Sequence, residues 1–183
     1  FKKGDAITAF DICPGNLPLN KFAETLGLKY DKNGEIAKNG QLDDSLLKEL
    51  NNINYYSLAA PKSLGTEWLE KQFLPFIPKE LSPEKKIRTI TEHIAIQISA
   101  VLNDQQLNSV FITGGGAHNN FLIECLKQYF SGNVIIPKDE VIDFKEAIVF
   151  AFLGARYLRN ESTTISSVTG AKLSLCTGVY HRI

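Results

Sequence analysis

Thr113-Gly114-Gly115-Gly116-Ala117-His118-Asn119 sets three consecutive glycines between an apolar, β-branched run and an amphipathic one. Glycines at a strand-to-helix junction let a ligand approach the backbone closely, and a helix start offers N–H donors and the positive end of a dipole. That is chemistry for a phosphate or a nucleotide. No Gly-Lys-Ser/Thr follows, so this is not a Walker A loop, and Asn119 stands where a dinucleotide fingerprint has its third glycine. The other reading is a tight turn with Asn119 as helix cap. His118 is a candidate ligand contact or a solvated turn residue.

Phe10-Asp11-Ile12-Cys13-Pro14-Gly15-Asn16 is a second candidate, an acid at a strand end running into a rigid turn. Ligands of open α/β sheets gather beyond the carboxyl ends of strands, so Asp11, Gly15 and Asn16 are expected near a phosphate or a sugar hydroxyl. Alternatively Asp11 ties its own turn and Asn16 caps the next helix. A third candidate, Pro61-Lys62-Ser63-Leu64-Gly65-Thr66-Glu67, joins a cation, hydroxyls and an acid on one loop. Lys62 would neutralise a phosphate or carboxylate there, and Ser63 or Thr66 could instead cap a helix. Glu146 is either a site acid or the second half of a capping box with Asp143. No Ser-His-Asp set or serine-x-x-lysine arrangement is present.

These residues need elements to hold them. Ala6 to Ile12 reads as a strand, followed by a helix capped by Asn16 that carries Phe22 and Leu26 and stops at Gly27. Lys29 to Gly40 reads as a connector, Asp43 to Leu50 as a short helix, and another short helix begins near Thr66. Ser82-Pro83-Glu84 opens the clearest helix, with Ile87, Ile90, Ile94, Ile98 and Val101 at three- and four-residue steps. Ser109 to Thr113 reads as a buried strand, Asn119 to Phe130 as a helix with Cys125 and Tyr129 inward, and Asn133 to Pro137 as a strand. Strand, helix, strand predicts parallel neighbours and an α/β class. Asp143 to Leu158 reads as a helix apolar around nearly its whole circumference, hence buried between neighbours. Ser162 to Ile183 reads as a loop with a terminal strand.

Composition bounds the class. The chain has 183 residues, 44% hydrophobic and 22% charged, enough for one domain with a real core. Twenty Lys and Arg balance twenty Asp and Glu, so neither nucleic acid nor an anionic membrane is an expected partner. No run approaches the roughly 18 apolar residues of a membrane span, and the start lacks a signal-like apolar stretch. A cytoplasmic protein is expected. Its three cysteines, Cys13, Cys125 and Cys176, show no CxxC pair and read as reduced core thiols. The chain begins at Phe1, contains no Met and enters a strand-like run almost at once, as a piece of a longer protein would.

In order and content these stretches resemble the C-terminal part of the 1,6-anhydro-N-acetylmuramic acid kinase family, of the acetate-kinase, sugar-kinase and actin fold group. The residues carrying the resemblance are Phe10-Asp11 with Pro14-Gly15-Asn16, Tyr30 to Gly34, Pro61-Lys62-Ser63 with Gly65 and Glu67, Gly114 to Asn119, Lys145-Glu146-Ala147 with Phe150-Ala151, and Ser167 to Ala171. The resemblance implies a ribonuclease-H-like (actin-like ATPase) lobe, a mixed sheet flanked by helices with a helical insertion. Residues 1–183 would be one domain, the C-terminal lobe of a two-lobed kinase.

The implied activity is ATP-dependent phosphorylation of the anhydro-sugar with hydrolytic ring opening to the 6-phosphate, in cell-wall recycling, with Mg²⁺ accompanying ATP. Gly114, Gly115, Gly116 and Asn119 would lie against the nucleotide. Asp11, Gly15, Asn16, Lys62, Ser63 and Glu146 would be neighbours of substrate or phosphate. The family's general base is expected upstream, so no catalytic residue is named in this chain, and alone it should be a poor catalyst. The implied partners are the sugar, the upstream lobe and a second copy in a homodimer. Ile12-Cys13 stands where the family usually has Thr-Gly, and Leu64 and Thr66 replace its usual Thr and Arg. These departures keep open a kinase for another anhydro-sugar, or a non-catalytic binding domain of the same fold.

Overall fold

Lys2–Lys3 (β1) and Ala6–Ile7 (β2) pair antiparallel across a turn in which Gly4 has φ +57°. The strand expected over Ala6 to Ile12 is therefore only two residues long, because no further strand pairs with Thr8 to Ile12 among the described residues. The structure is a computed structural model and describes residues 1–179. They group into a central unit, Asp11–Ile142, and a terminal unit, Phe1–Phe10 with Asp143–Ile183.

The central unit opens at Pro14-Gly15-Asn16, where Gly15 has φ +57°, and α1 (Leu17–Glu24) follows with Pro18 in its first turn. The Lys29 to Gly40 connector in fact holds α2 (Glu35–Asn39). The Asp31 carboxylate accepts the Ile36 N–H at 2.8 Å and the Ala37 N–H at 3.0 Å, satisfying donors that an isolated helix start would leave open. Five residues are too few to show a period, so the helix was invisible as a pattern. α3 (Asp44–Asn51) is capped by Asp43, whose Oδ1 accepts the Leu46 N–H at 2.9 Å. α4 (Thr66–Trp68) runs into a wider turn over Leu69–Phe73 that buries both its end residues.

α5 (Pro83–Asp104) is the central helix, packed against α1, α2, α3 and the later α6 (Asn120–Tyr129). Ser82 caps it through Oγ, which accepts the Lys85 N–H at 3.3 Å, and Ile87, Ile90 and Ile94 are buried as the spacing predicts. β3 (Ser109–Phe111) and β4 (Asn133–Ile135) flank α6 and pair in parallel, Val110 opposite Val134. The α/β class and the parallel neighbours are thus observed. Two expectations fail here. The described strands form two separate two-stranded ladders instead of one mixed sheet, and β3 is not a buried strand, since Phe111 is 56% exposed. In this two-stranded ladder Phe111 and Ile135 lie exposed, while Val110 and Val134 are half-buried. Tyr129, expected inward, is exposed at the end of α6, although its hydroxyl reaches a buried carboxylate.

α7 (Asp139–Asp143) leads to α8 (Lys145–Leu158) of the terminal unit, and α9 (Ser166–Thr169) ends at Gly170, φ +72°. Asp143 is not the cap of α8: Phe144 holds that position and no side chain caps it. Nor is α8 buried, with Phe150 at 71% and Phe152 at 59% exposure. A helix apolar all round needs cover on every side. Among its described residues the rest of the unit offers two two-residue strands and a four-residue helix. No strand forms over residues 162–179, where Thr163 and Thr164 N–H groups both bond the Leu175 carbonyl, and 180–183 lie outside the described residues. Of the cysteines, Cys125 is buried, Cys13 half-buried and Cys176 exposed, so the core-thiol expectation fails at Cys176.

Most buried polar groups on α5 have partners, as burial requires, Ser99 Oγ being an exception among the described residues. His93 Nδ1 lies 2.6 Å from Asn51 Oδ1 and Nε2 lies 2.8 Å from the Tyr56 hydroxyl, while Gln97 also donates to Asn51. On the same helix Glu92 is held by Arg88, Tyr129 and the Cys125 thiol. Burial pushes the Glu92 carboxyl upward, but hydrogen bonds from Tyr129 and Arg88 outweigh it and leave it below the usual carboxylate range. Burial holds His93 neutral, its pKa lowered to about 3.

The unfolded chain takes up a proton on His93 near pH 6.5 and the folded chain does not until about 3. The His93 contribution to stability is therefore fully present above about pH 6.5 and is lost as pH drops through that window, by about 1.4 kcal/mol per pH unit. Urea unfolding at pH 7, 6 and 5 measures this slope. His93→Gln should flatten it whatever it costs in absolute stability, and an unchanged slope would remove His93 as its source.

Candidate active site

The Gly115–His118 segment forms one tight helical turn between β3 and α6, and Gly114, with φ +79°, turns the chain out of the strand. Gly115 and Gly116 differ from it: neither has a positive φ, and a β-carbon on either would meet only the Asn16 side-chain amide, 3.8 Å away at Gly115 and 3.7 Å at Gly116. That is ordinary van der Waals distance, so the fold does not require glycine at 115 or 116. The space beside them is otherwise open.

Asn16 thus stands beside the glycine turn, and two stretches far apart in sequence meet. Asn16 occupies the N-cap position of α1, but its side chain makes no capping bond there. The capping reading of Asn16 is set aside, and its amide offers one donor and one acceptor at the turn. Asn119, by contrast, does cap: its Oδ1 accepts the Leu122 N–H at 2.9 Å and the residue is buried. Its side chain is used in holding α6 behind the glycines. His118 is exposed at the end of the turn. Thr113 Oγ1, immediately before the glycines, is buried with no hydrogen-bond partner among the described residues.

Asp11 and the Lys62 loop also come together. The Asp11 N–H donates to the Lys62 carbonyl at 3.1 Å, and the Asp11 Oδ2 accepts the Leu64 N–H at 2.8 Å. Asp11, Cys13, Leu17, Leu64, Thr66 and Trp68 are among the residues lining a cavity of about 300 Å³. Its walls are mostly apolar, with one carboxylate at an exposed position, as small-molecule sites commonly are. Burial pushes the Cys13 thiol up to about 11, so it stays protonated at neutral pH and is no nucleophile.

Lys62 is half-buried, and burial lowers its pKa. Ser63 is exposed, and neither Ser63 nor Thr66 caps α4, because the N-cap is Gly65. Glu146 lies exposed in the first turn of α8, in the terminal unit, so the constellation described here is built from the central unit alone. No group of three or more His, Cys, Asp or Glu could hold a metal ion among the described residues. Sequence reasoning missed Tyr55, Tyr56 and Trp68 as a wall of this region: ring centroids lie 5.1 Å apart for Tyr55 and Trp68 and 6.2 Å for Tyr56 and Trp68. The Tyr55-Tyr56 pair beside a lone Trp was the only available signal.

A family model described as anhydro-N-acetylmuramic acid kinase matches residues 1–182. Curated proteins of that name are similar to this chain. The one from Hahella chejuensis is 34% identical over 178 residues, covering 93% of this chain and 48% of its own length. That from Francisella tularensis subsp. novicida is 36% identical over 185 residues, covering 95% and 49%. That from Clostridioides difficile is 33% identical over 186 residues, again covering 95% and 49%. The chain spans about half the length of the curated relatives it matches.

Proposed function

The chain belongs to the anhydro-N-acetylmuramic acid kinase family, and on that premise we propose that it forms the nucleotide-facing lobe of an ATP-dependent kinase for 1,6-anhydro-N-acetylmuramic acid. In this reading residues 1–183 are one actin-like lobe of a two-lobed enzyme. The γ-phosphoryl group of ATP passes to the sugar O6 while water adds at the anomeric carbon, so that the anhydro bridge opens and the 6-phosphate results. The setting is cytoplasmic cell-wall recycling, and the working form is a homodimer. No helix among the described residues is long and apolar enough to cross a membrane.

The observation that carries this reading is the open space at Gly115 and Gly116 beside the Asn16 amide, glycines that the fold itself does not demand. Phosphoryl transfer asks mainly for positioning and for donors aimed at phosphate oxygens, and backbone around such a turn suits both. Thr113 Oγ1, buried and unpartnered next to the turn, adds a hydroxyl that a bound phosphate would satisfy. The cavity at Asp11 takes the sugar, its apolar wall against the ring and the carboxylate toward a hydroxyl. Mg²⁺ usually keeps several waters and rests on substrate phosphates with one or two carboxylates, and Asp11 is the carboxylate lining the cavity. When bound it would neutralise phosphate charge.

The test is turnover by the full-length protein with Mg-ATP and 1,6-anhydro-N-acetylmuramic acid, followed by mass spectrometry. A ring-opened 6-phosphate is expected. ATP binding without that product would overturn the sugar assignment and favour another anhydro-sugar.

A further inference from the structure

Lys62 carries the charge that phosphate chemistry would use, yet its ammonium is engaged with the protein's own main chain. Its Nζ donates to the carbonyl of Tyr55 at 3.1 Å and to that of Tyr56 at 3.3 Å, and it stands 4.7 Å from the centre of the Tyr55 ring. The Tyr55 hydroxyl in turn donates to the Asp11 carbonyl at 2.6 Å. The Lys62 carbonyl accepts the Asp11 N–H, and two residues further on the Leu64 N–H reaches the Asp11 carboxylate. Three segments are thereby closed into one ring of hydrogen bonds around Asp11. Behind it, Tyr56 is fixed by buried His93, and Trp68 packs on both tyrosines.

We propose that Lys62 is a positioning residue: its ammonium ties the Tyr55-Tyr56 turn to the segment bearing Asp11, and so sets the Asp11 carboxylate and the Trp68 wall of the cavity. The ammonium is held by two carbonyls and stands over a ring face. A cation over an aromatic ring with two carbonyl acceptors is stable without any ligand present. Its consequence for turnover rests on the kinase reading above, whereas its structural part does not.

Trp68 is the single tryptophan of these 183 residues, so in the full-length protein, with any tryptophan outside them replaced by phenylalanine, emission reports the cavity wall with no nucleotide or sugar added. Lys62→Met keeps an apolar stem over the Tyr55 ring and removes the ammonium. The expected result is a red shift of Trp68 emission and a loss of its protection from acrylamide, with Lys62→Arg restoring both because a guanidinium can also bridge two carbonyls and stack on a ring. Wild-type emission and quenching in Lys62→Met would overturn the proposal.

Tyr55→Phe removes one hydroxyl from the same ring and provides a second route if Lys62→Met fails to fold. It should shift Trp68 in the same direction, and an unshifted Tyr55→Phe would equally overturn it. In the full-length enzyme, Lys62→Met should raise the KM for the sugar about tenfold with the Kd for ATP changed less than about twofold, an asymmetry that general loosening would not give. A tenfold weaker Kd for ATP with unchanged Trp68 emission would instead make Lys62 a phosphate ligand and overturn the proposal. Failure of the kinase reading would leave the fluorescence result standing.

Discussion

Gly115→Asp should fold as the parent chain does and bind ATP at least about tenfold more weakly, which corresponds to about 1.4 kcal/mol. The fold tolerates the change because position 115 has no left-handed backbone and the new β-carbon would lie 3.8 Å from Asn16 Nδ2, an ordinary contact. That amide can also donate to an added carboxylate. The ligand tolerates it badly, because the side chain fills the space through which a phosphate reaches the backbone and sets a like charge against it. Far-UV circular dichroism and urea unfolding check the fold, and calorimetry with Mg-ATP reads the affinity. Gly115→Ala, which adds bulk without charge, should fall between the two. Unchanged ATP affinity in Gly115→Asp would mean that the glycine turn does not face the nucleotide, and the placement of ATP in this lobe would be withdrawn.

Gly34→Ala should act in the opposite way, sparing any direct ligand contact and destabilising the central unit by about 2–5 kcal/mol. Gly34 has φ +77°, which a β-carbon makes costly by roughly 1–2 kcal/mol. That carbon would also stand 2.2 Å from Asn119 Oδ1, 2.6 Å from Phe121 Cβ and 3.1 Å from the Phe121 nitrogen. Two of these neighbours are backbone or β-carbon and can move only with α6, which adds a repacking cost of roughly 1–3 kcal/mol. The Asn119 side chain would have to leave the Leu122 N–H, so the start of α6 behind the glycine turn would loosen as well. A shift of the urea midpoint measures the effect. A variant as stable as the parent would show that Gly34 and α6 are not packed as described. Comparing the two substitutions separates a glycine kept for the fold from one that the fold leaves optional.

Much of the fold was legible because its signals are local. Ser82 with Pro83 and the isoleucines that follow, Asp43 before α3, and Asn119 before α6 each act within one helical turn, so residue type and spacing suffice to place them. The order strand, glycine turn, helix, strand likewise predicts β3 and β4 as parallel neighbours, which they are. The resemblance to the kinase family also rested on short stretches in order, and the family model over residues 1–182 agrees with it.

Residue order alone thus specifies the helices that carry caps and periods, the parallel pair and the family. Tertiary structure alone decided which distant groups meet. Asn16 turns from its own helix to the glycines at 115 and 116, Lys62 folds onto the carbonyls of Tyr55 and Tyr56, and Asp31 builds a helix in a stretch that reads as a connector. Thr8 to Ile12 and the circumference of α8 show the converse, a run that promises a ladder and forms none, and apolar residues that promise a core and lie exposed among the described residues. The physical reason is the same in each case. A cap or a period is a bargain between residues within a turn of each other, whereas a side chain with two possible partners chooses by burial and geometry that only the packed chain provides.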